Sequence, residues 1–328
     1  MQRRQCLKYL ATGFGLAVSG QSGGALREAS APSPLTGEGW GEGEKSMRPP
    51  SPQPSPARGE GVLGAIPKSL WVWRTPLSEA DPVVALLRQF NFRSVFYSIP
   101  PGERAQLFAG GKKQSAAIHA CRAAGIAFYA VAGDPGWSRR GWQIPGAVAE
   151  LLDFQQRSQL FDGLCLDIEP HTLPEWKTGA REQLIHGYLD MLGNIRQASQ
   201  SMKLPLIAAV VPFHANIAAP DEAGKSMLES AAGKLDAVVM MAYRRAPGAS
   251  LRIAAKALGQ LDALKKPWWF GVTTHRGASE AISHAGATFG QFSAALLELD
   301  ARLETHAPLY RGIAINDYPS LPAILTRR

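Results

Sequence analysis

The chain has 328 residues and a formal charge of +8, from 35 Lys and Arg against 27 Asp and Glu. Its basic residues sit in separate pairs, Lys112–Lys113, Arg139–Arg140, Arg244–Arg245 and Lys265–Lys266, with no basic stripe interleaved with aromatics, which argues against nucleic acid as a partner. Of the 3 cysteines, only Cys121 and Cys165 lie where the composition is foldable, so no disulfide framework is expected.

Residues 1–20 have a basic start and a short stretch rich in Gly and Ala from Tyr9 to Val18, the plan of an export signal. Arg3-Arg4-Gln5-Cys6-Leu7-Lys8 resembles the bacterial twin-arginine signature, which implies a periplasmic or secreted protein. The apolar stretch is shorter than the about 20 residues a bilayer span needs, so no stable membrane anchor is expected. Residues 21–66 are dense in Pro, Gly, Ser and Glu and read as a disordered linker, unable to bury enough apolar surface to offset their ordering entropy. Two stretches, starting at Pro34 and Pro52, resemble translated copies of palindromic repeats of some bacterial genomes.

Residues 67–328 carry eight short β-rich runs, at 69–73, 94–99, 127–132, 163–169, 206–211, 237–242, 268–273 and 312–316. Amphipathic stretches lie between them, at 79–90, 112–124, 145–159, 180–200, 221–232, 250–264 and 289–304. Most runs are apolar on both faces, as parallel strands covered on both sides should be. Strand–helix alternation with eight strands predicts a single (β/α)8 TIM barrel. A doubly wound open sheet is the alternative, but no Gly-x-Gly-x-x-Gly follows the first run.

Such barrels carry their sites at the C-terminal ends of the strands. Those ends read Arg74; Ser98; Asp134 and Trp137; Asp167, Glu169 and His171; His214; Tyr243 and Arg244; Thr274 and His275; then Asn316, Asp317 and Tyr318. The rim is polar and aromatic, a mixture suited to carbohydrate. The fourth run is the most informative. Strand side chains alternate, so Leu164, Leu166 and Ile168 point toward the helices, while Cys165, Asp167 and Glu169 point the other way. The two carboxylate residues lie on one face with about 7 Å between their Cα atoms. Their repulsion should make them titrate as a coupled pair that retains one proton toward neutral pH, as a general acid requires. A Ca²⁺ site or a structural ion pair is the plainer alternative.

Two segments resemble the chitinase-type, family-eighteen glycoside hydrolases. That family's fourth strand reads Asp-Gly-x-Asp-x-Asp-x-Glu, and here Asp162-Gly163-Leu164-Cys165-Leu166-Asp167-Ile168-Glu169 stands in its place. Its sixth strand carries Met-x-Tyr-Asp, matched here by Met241-Ala242-Tyr243-Arg244. The resemblance implies that Glu169 protonates the glycosidic oxygen, while Asp167 and Tyr243 hold a substrate N-acetyl group as it attacks the anomeric carbon. Cys165 and Arg244 replace two aspartates of the pattern. Arg244 puts a fixed cation beside the site, which would either depress the carboxylates or bind an anionic sugar or phosphate.

We therefore expect a monomeric glycosidase acting on a polysaccharide or oligosaccharide, without cofactor or metal. Glu169, Asp167 and Tyr243 are the catalytic candidates. Asp134, Trp137, His171, Arg244, Asp317 and Tyr318 are the substrate-binding candidates. Asp134 and Trp137 equally suit a turn and loop packing, whereas His171, His214 and His275, with no zinc-type spacing, better suit hydrogen-bonding loop residues. Two rival readings are a silent carbohydrate-binding barrel and a metal-dependent hydrolase using Asp167, Glu169 and Asp317.

Overall fold

Each β-rich run becomes a strand whose alternate residues enter two different apolar layers. In the computed structural model, which describes residues 63–328, the strands are β1 (Lys68–Val72), β2 (Ser94–Ser98), β3 (Ala127–Ala132), β4 (Gly163–Leu166), β5 (Leu206–Val210), β6 (Ala237–Met240), β7 (Trp268–Thr273) and β8 (Tyr310–Asn316). All eight are parallel and close on themselves, β8 pairing with β1. The chain is a (β/α)8 TIM barrel. The expected export signal and most of the linker lie outside the described residues.

The helices are α1 (Asp81–Gln89), α2 (Pro101–Phe108), α3 (Lys112–Ala123), α4 (Gly146–Ser158), α5 (Arg181–Ser201), α6 (Met227–Gly233), α7 (Pro247–Ala263), α8 (Phe289–Leu303) and α9 (Leu321–Thr326). Sequence periodicity misses α2 and α9, which span only 8 and 6 residues. It also starts α6 six residues early. Ser226 accepts a hydrogen bond from the backbone N–H of Glu229, and the Glu229 carboxylate accepts one from the N–H of Ser226. That reciprocal cap sets the helix start, and Ser226-x-x-Glu229 is its signature.

The outer layer, between barrel and helices, takes Leu70, Val72, Leu164, Leu166, Ile168, Phe270 and Ile315. The inner layer takes the intervening residues, among them Trp71, Phe96, Cys165, Ile207, Met241 and Trp269. Trp71 stacks on Phe96 at 4.6 Å, and Trp269 meets Phe96 edge-on at 5.5 Å. These rings fill the lumen, so the barrel is a packed core open for chemistry only at its ends. Trp268 and Trp269 are accordingly packing residues, both buried. Cys121 and Cys165 are buried and unbridged.

The described structure starts ahead of Pro67, within the stretch expected to be linker. Leu63 and Ile66 are buried, and Nζ of the buried Lys68 donates to the carbonyl oxygens of both. Burial lowers the Lys68 pKa to about 8.

Candidate active site

The β4 ladder ends at Leu166, three residues short of Glu169, yet the alternation of faces continues to Ile168, which stays in the outer layer. The Asp167 N–H still donates to the Ala132 carbonyl at 3.0 Å. Gly133 lies against this segment so closely that a Cβ there would run into the Asp167 carbonyl oxygen. Below Asp167, Cys165 is fully buried. Burial first, then the Asp167 charge, push its thiol well above the usual range, so it stands as a neutral group.

Glu169 is pinned by its own backbone. The N–H and Oγ1 of Thr172 both donate to the Glu169 carbonyl, at 3.0 and 2.8 Å, as Pro170 opens a short 3-10 turn. The Glu169 side chain keeps 12% of its surface exposed. His171 Nε2 lies 3.9 Å from Glu169 Oε1. The His171 ring is boxed by Phe213 at 5.0 Å, His214 at 5.7 Å and Trp176 at 6.3 Å.

This differs from the expectation of hydrogen-bonding loop histidines. His171 Nδ1 and both ring nitrogens of His214 are buried without a hydrogen-bond partner among the described residues. Burial lowers the His171 pKa to about 4. Burial, then the neighbouring His171, hold His214 well below its ordinary value. Both imidazoles are therefore neutral at neutral pH.

Tyr243 lies three residues beyond the end of β6, in the inner layer, and is almost fully buried. Its hydroxyl oxygen accepts from Asn316 Nδ2 at 3.1 Å, and Asn316 Oδ1 accepts from Trp73 Nε1 at 3.1 Å. Trp73 in turn stacks on Trp71 at 5.1 Å. The sequence places Asn316 on the rim without a role and does not point to Trp73. The available signal was their inward parity at the C-terminal ends of β8 and β1. Asp317 is held at the same end of β8, its N–H donating to Thr274 Oγ1 (3.1 Å) while that hydroxyl donates to its carbonyl (3.0 Å). His275 Nδ1 lies 3.9 Å from Asp317 Oδ2.

The remaining candidates stand further out. Asp134 accepts from the Gly136 N–H at 2.7 Å and caps the turn Pro135–Arg140. Trp137 and Tyr318 are half-buried and pack on the outer apolar layer. Arg244 turns back on its own chain, Nη1 donating to the Tyr243 carbonyl at 2.7 Å, and lines a depression between the starts of α7 and α8. Among the described residues, no group of three or more His, Cys, Asp or Glu side chains is placed to hold a metal ion, as the reading with Asp167, Glu169 and Asp317 as ligands requires. No helix among them is long and apolar enough to cross a membrane.

No protein-family model and no curated protein matches the sequence. Similar solved structures include the family-eighteen chitinase ChiB of Flavobacterium johnsoniae, at 12% identity and a TM-score of 0.50 over 78% of this chain and 88% of that one. A chitinase of Chromobacterium violaceum aligns at 15% identity and a TM-score of 0.46, covering 80% of this chain and 100% of that one. The spore cortex-lytic enzyme SleL of Bacillus megaterium aligns at 13% and 0.45, covering 80% and 75%. At such identities the likeness speaks for architecture: this chain has a divergent barrel fold of the kind seen in family-eighteen chitinases.

Proposed function

We propose that the protein is a glycoside hydrolase acting on an N-acetylated polysaccharide or oligosaccharide, with Glu169 as general acid. The observation that carries this reading is a part-exposed carboxyl at the C-terminal end of β4, beside an imidazole that burial keeps uncharged. A cationic neighbour would favour the ionised carboxylate; a neutral His171 does not, which suits a group that must hold a proton until it is needed.

In the reaction, Glu169 gives its proton to the glycosidic oxygen as the bond to the anomeric carbon breaks. The acetamido oxygen of the substrate attacks that carbon from the opposite face. Asp167 takes the acetamido N–H as hydrogen-bond acceptor and offsets the charge developing there. Tyr243 has Asn316 as donor to its oxygen, so its own hydrogen points elsewhere, and it donates to the acetamido group. Water then opens the intermediate with Glu169 as base.

Glu169→Gln tests this. The variant should fold and bind glycan as the parent does, yet lose about 10²–10⁴-fold in turnover, the usual size of a general-acid contribution. The loss should shrink for substrates with good leaving groups. Turnover near the parent rate would remove Glu169 from the mechanism. The reading as a silent binding barrel draws on Cys165, a neutral buried thiol where the resembling family has a carboxyl beside Asp167. It predicts glycan affinity without turnover in the unaltered protein.

A further inference from the structure

On the β6–β7 side of the mouth, a depression of about 670 Å³ is lined by Arg244, Arg245, Glu280, His284 and Gln291 together with several alanines. Neither guanidinium forms an ion pair with a carboxylate among the described residues. Arg244 uses Nη1 on the Tyr243 carbonyl, and the Arg245 N–H donates to the Ala281 carbonyl. His284 is only 1% exposed, yet its Nε2 has no hydrogen-bond partner. The 17-residue helix α7 starts at the same wall, with Pro247 at its first turn and the N–H groups of Ala249 and Ser250 donating to the Ala246 carbonyl.

Two guanidinium groups with no carboxylate partner favour an oxyanion, and the buried His284 nitrogen that lacks a partner can add one N–H donor. The volume exceeds what a bare inorganic ion needs, and the alanines of the lining suit the apolar face of a sugar ring. Arg244 follows Tyr243 directly and grips its carbonyl, so a sugar seated here adjoins one held at Tyr243. We propose that this depression is a subsite for a carboxylate carried by the glycan, making the substrates acidic saccharides; this rests on the hydrolase reading above. Glu280 is the one wall residue whose charge opposes such a ligand.

The test reads binding separately from cleavage. Glucuronate and glucose are titrated into the full chain while the His284 imidazole is followed by NMR, its signal assigned by loss in His284→Gln. Glucuronate should shift that signal and glucose should not. Arg244→Gln with Arg245→Gln should weaken glucuronate binding at least about tenfold, the scale of charge-assisted hydrogen bonds. Glu280→Gln should tighten it, a change that impaired folding would not produce. Inorganic phosphate binding where glucuronate fails would overturn the proposal, as would identical responses to glucuronate and glucose. Cleavage is then measured on an N-acetylglucosamine tetramer and a hyaluronan tetrasaccharide. Arg245→Gln should lower the ratio of acidic to neutral turnover. Glucuronate binding with no cleavage of either saccharide would keep the subsite and remove the hydrolase reading. Glu169-dependent cleavage with no glucuronate binding would do the reverse.

Discussion

His171 Nε2 stands 3.9 Å from Oε1 of Glu169, and burial among Phe213, His214 and Trp176 keeps that imidazole uncharged down to about pH 4. The pair is therefore a carboxyl beside a neutral dipole across the whole range in which a general acid would work. Replacing His171 with Leu should leave the limbs of the pH profile of kcat/KM in place, because no charge is removed. A limb displaced by a unit or more would mean that the imidazole is cationic when the enzyme acts.

Acid should destabilise the fold well above the carboxylate range. His171 and His284 are both lowered by burial to about 4, Arg245 adding to the effect at His284, and His214 lies well below 6.5. Between the ordinary 6.5 of the unfolded chain and the folded value, the unfolded state holds more protons, so stability falls as pH falls. Each such histidine contributes a slope of about 1.4 kcal/mol per pH unit over that window, and none above it. His214→Leu should remove one proton from the slope of denaturation free energy against pH. At pH 7 it should be neutral or stabilising, since it deletes two buried nitrogens without partners. An unchanged acid slope would show that His214 is not buried in this way.

Asn316 donates to the Tyr243 oxygen and accepts from Trp73, so its orientation decides where the phenol hydrogen can point. Asn316→Asp keeps the shape and the acceptor for Trp73 but cannot donate to Tyr243. The phenol would then give its hydrogen to the new carboxylate instead of to substrate. Activity on N-acetylated substrates should fall about tenfold, the scale of one hydrogen bond, with little change in melting temperature. Parent-like kinetics would detach Tyr243 from the reaction.

Two glycine replacements should have opposite signs. Gly133→Ala puts a Cβ into the Asp167 backbone and should cost about 1–3 kcal/mol while displacing the end of β4, so activity falls with stability. Gly259 lies inside α7 with nothing near its missing Cβ, and Gly259→Ala should stabilise by about 0.5–1 kcal/mol. Thermal denaturation of the two variants, with turnover measured alongside, checks both signs.

What the chain alone determines is the periodic part of this protein. Apolar runs with both faces greasy become the eight parallel strands, because a strand between a helix layer and a filled lumen has no wet face. A two-residue period is enough to put Cys165 in the inner layer and Leu164, Leu166 and Ile168 in the outer one. Only the closed barrel decides what meets across it. Tyr243 and Asn316 are 73 positions apart and come together because β6 and β8 flank β7 in one closed sheet. His171 is neutral because Phe213 and His214, from the loop after β5, and Trp176 close over it, and local sequence carries no record of that desolvation. Arg244 likewise reads as a cation beside the carboxylates until the fold turns its guanidinium onto the Tyr243 carbonyl and into the depression between α7 and α8. Periodicity is a property of neighbours in the chain, whereas burial and charge environment belong to neighbours in space.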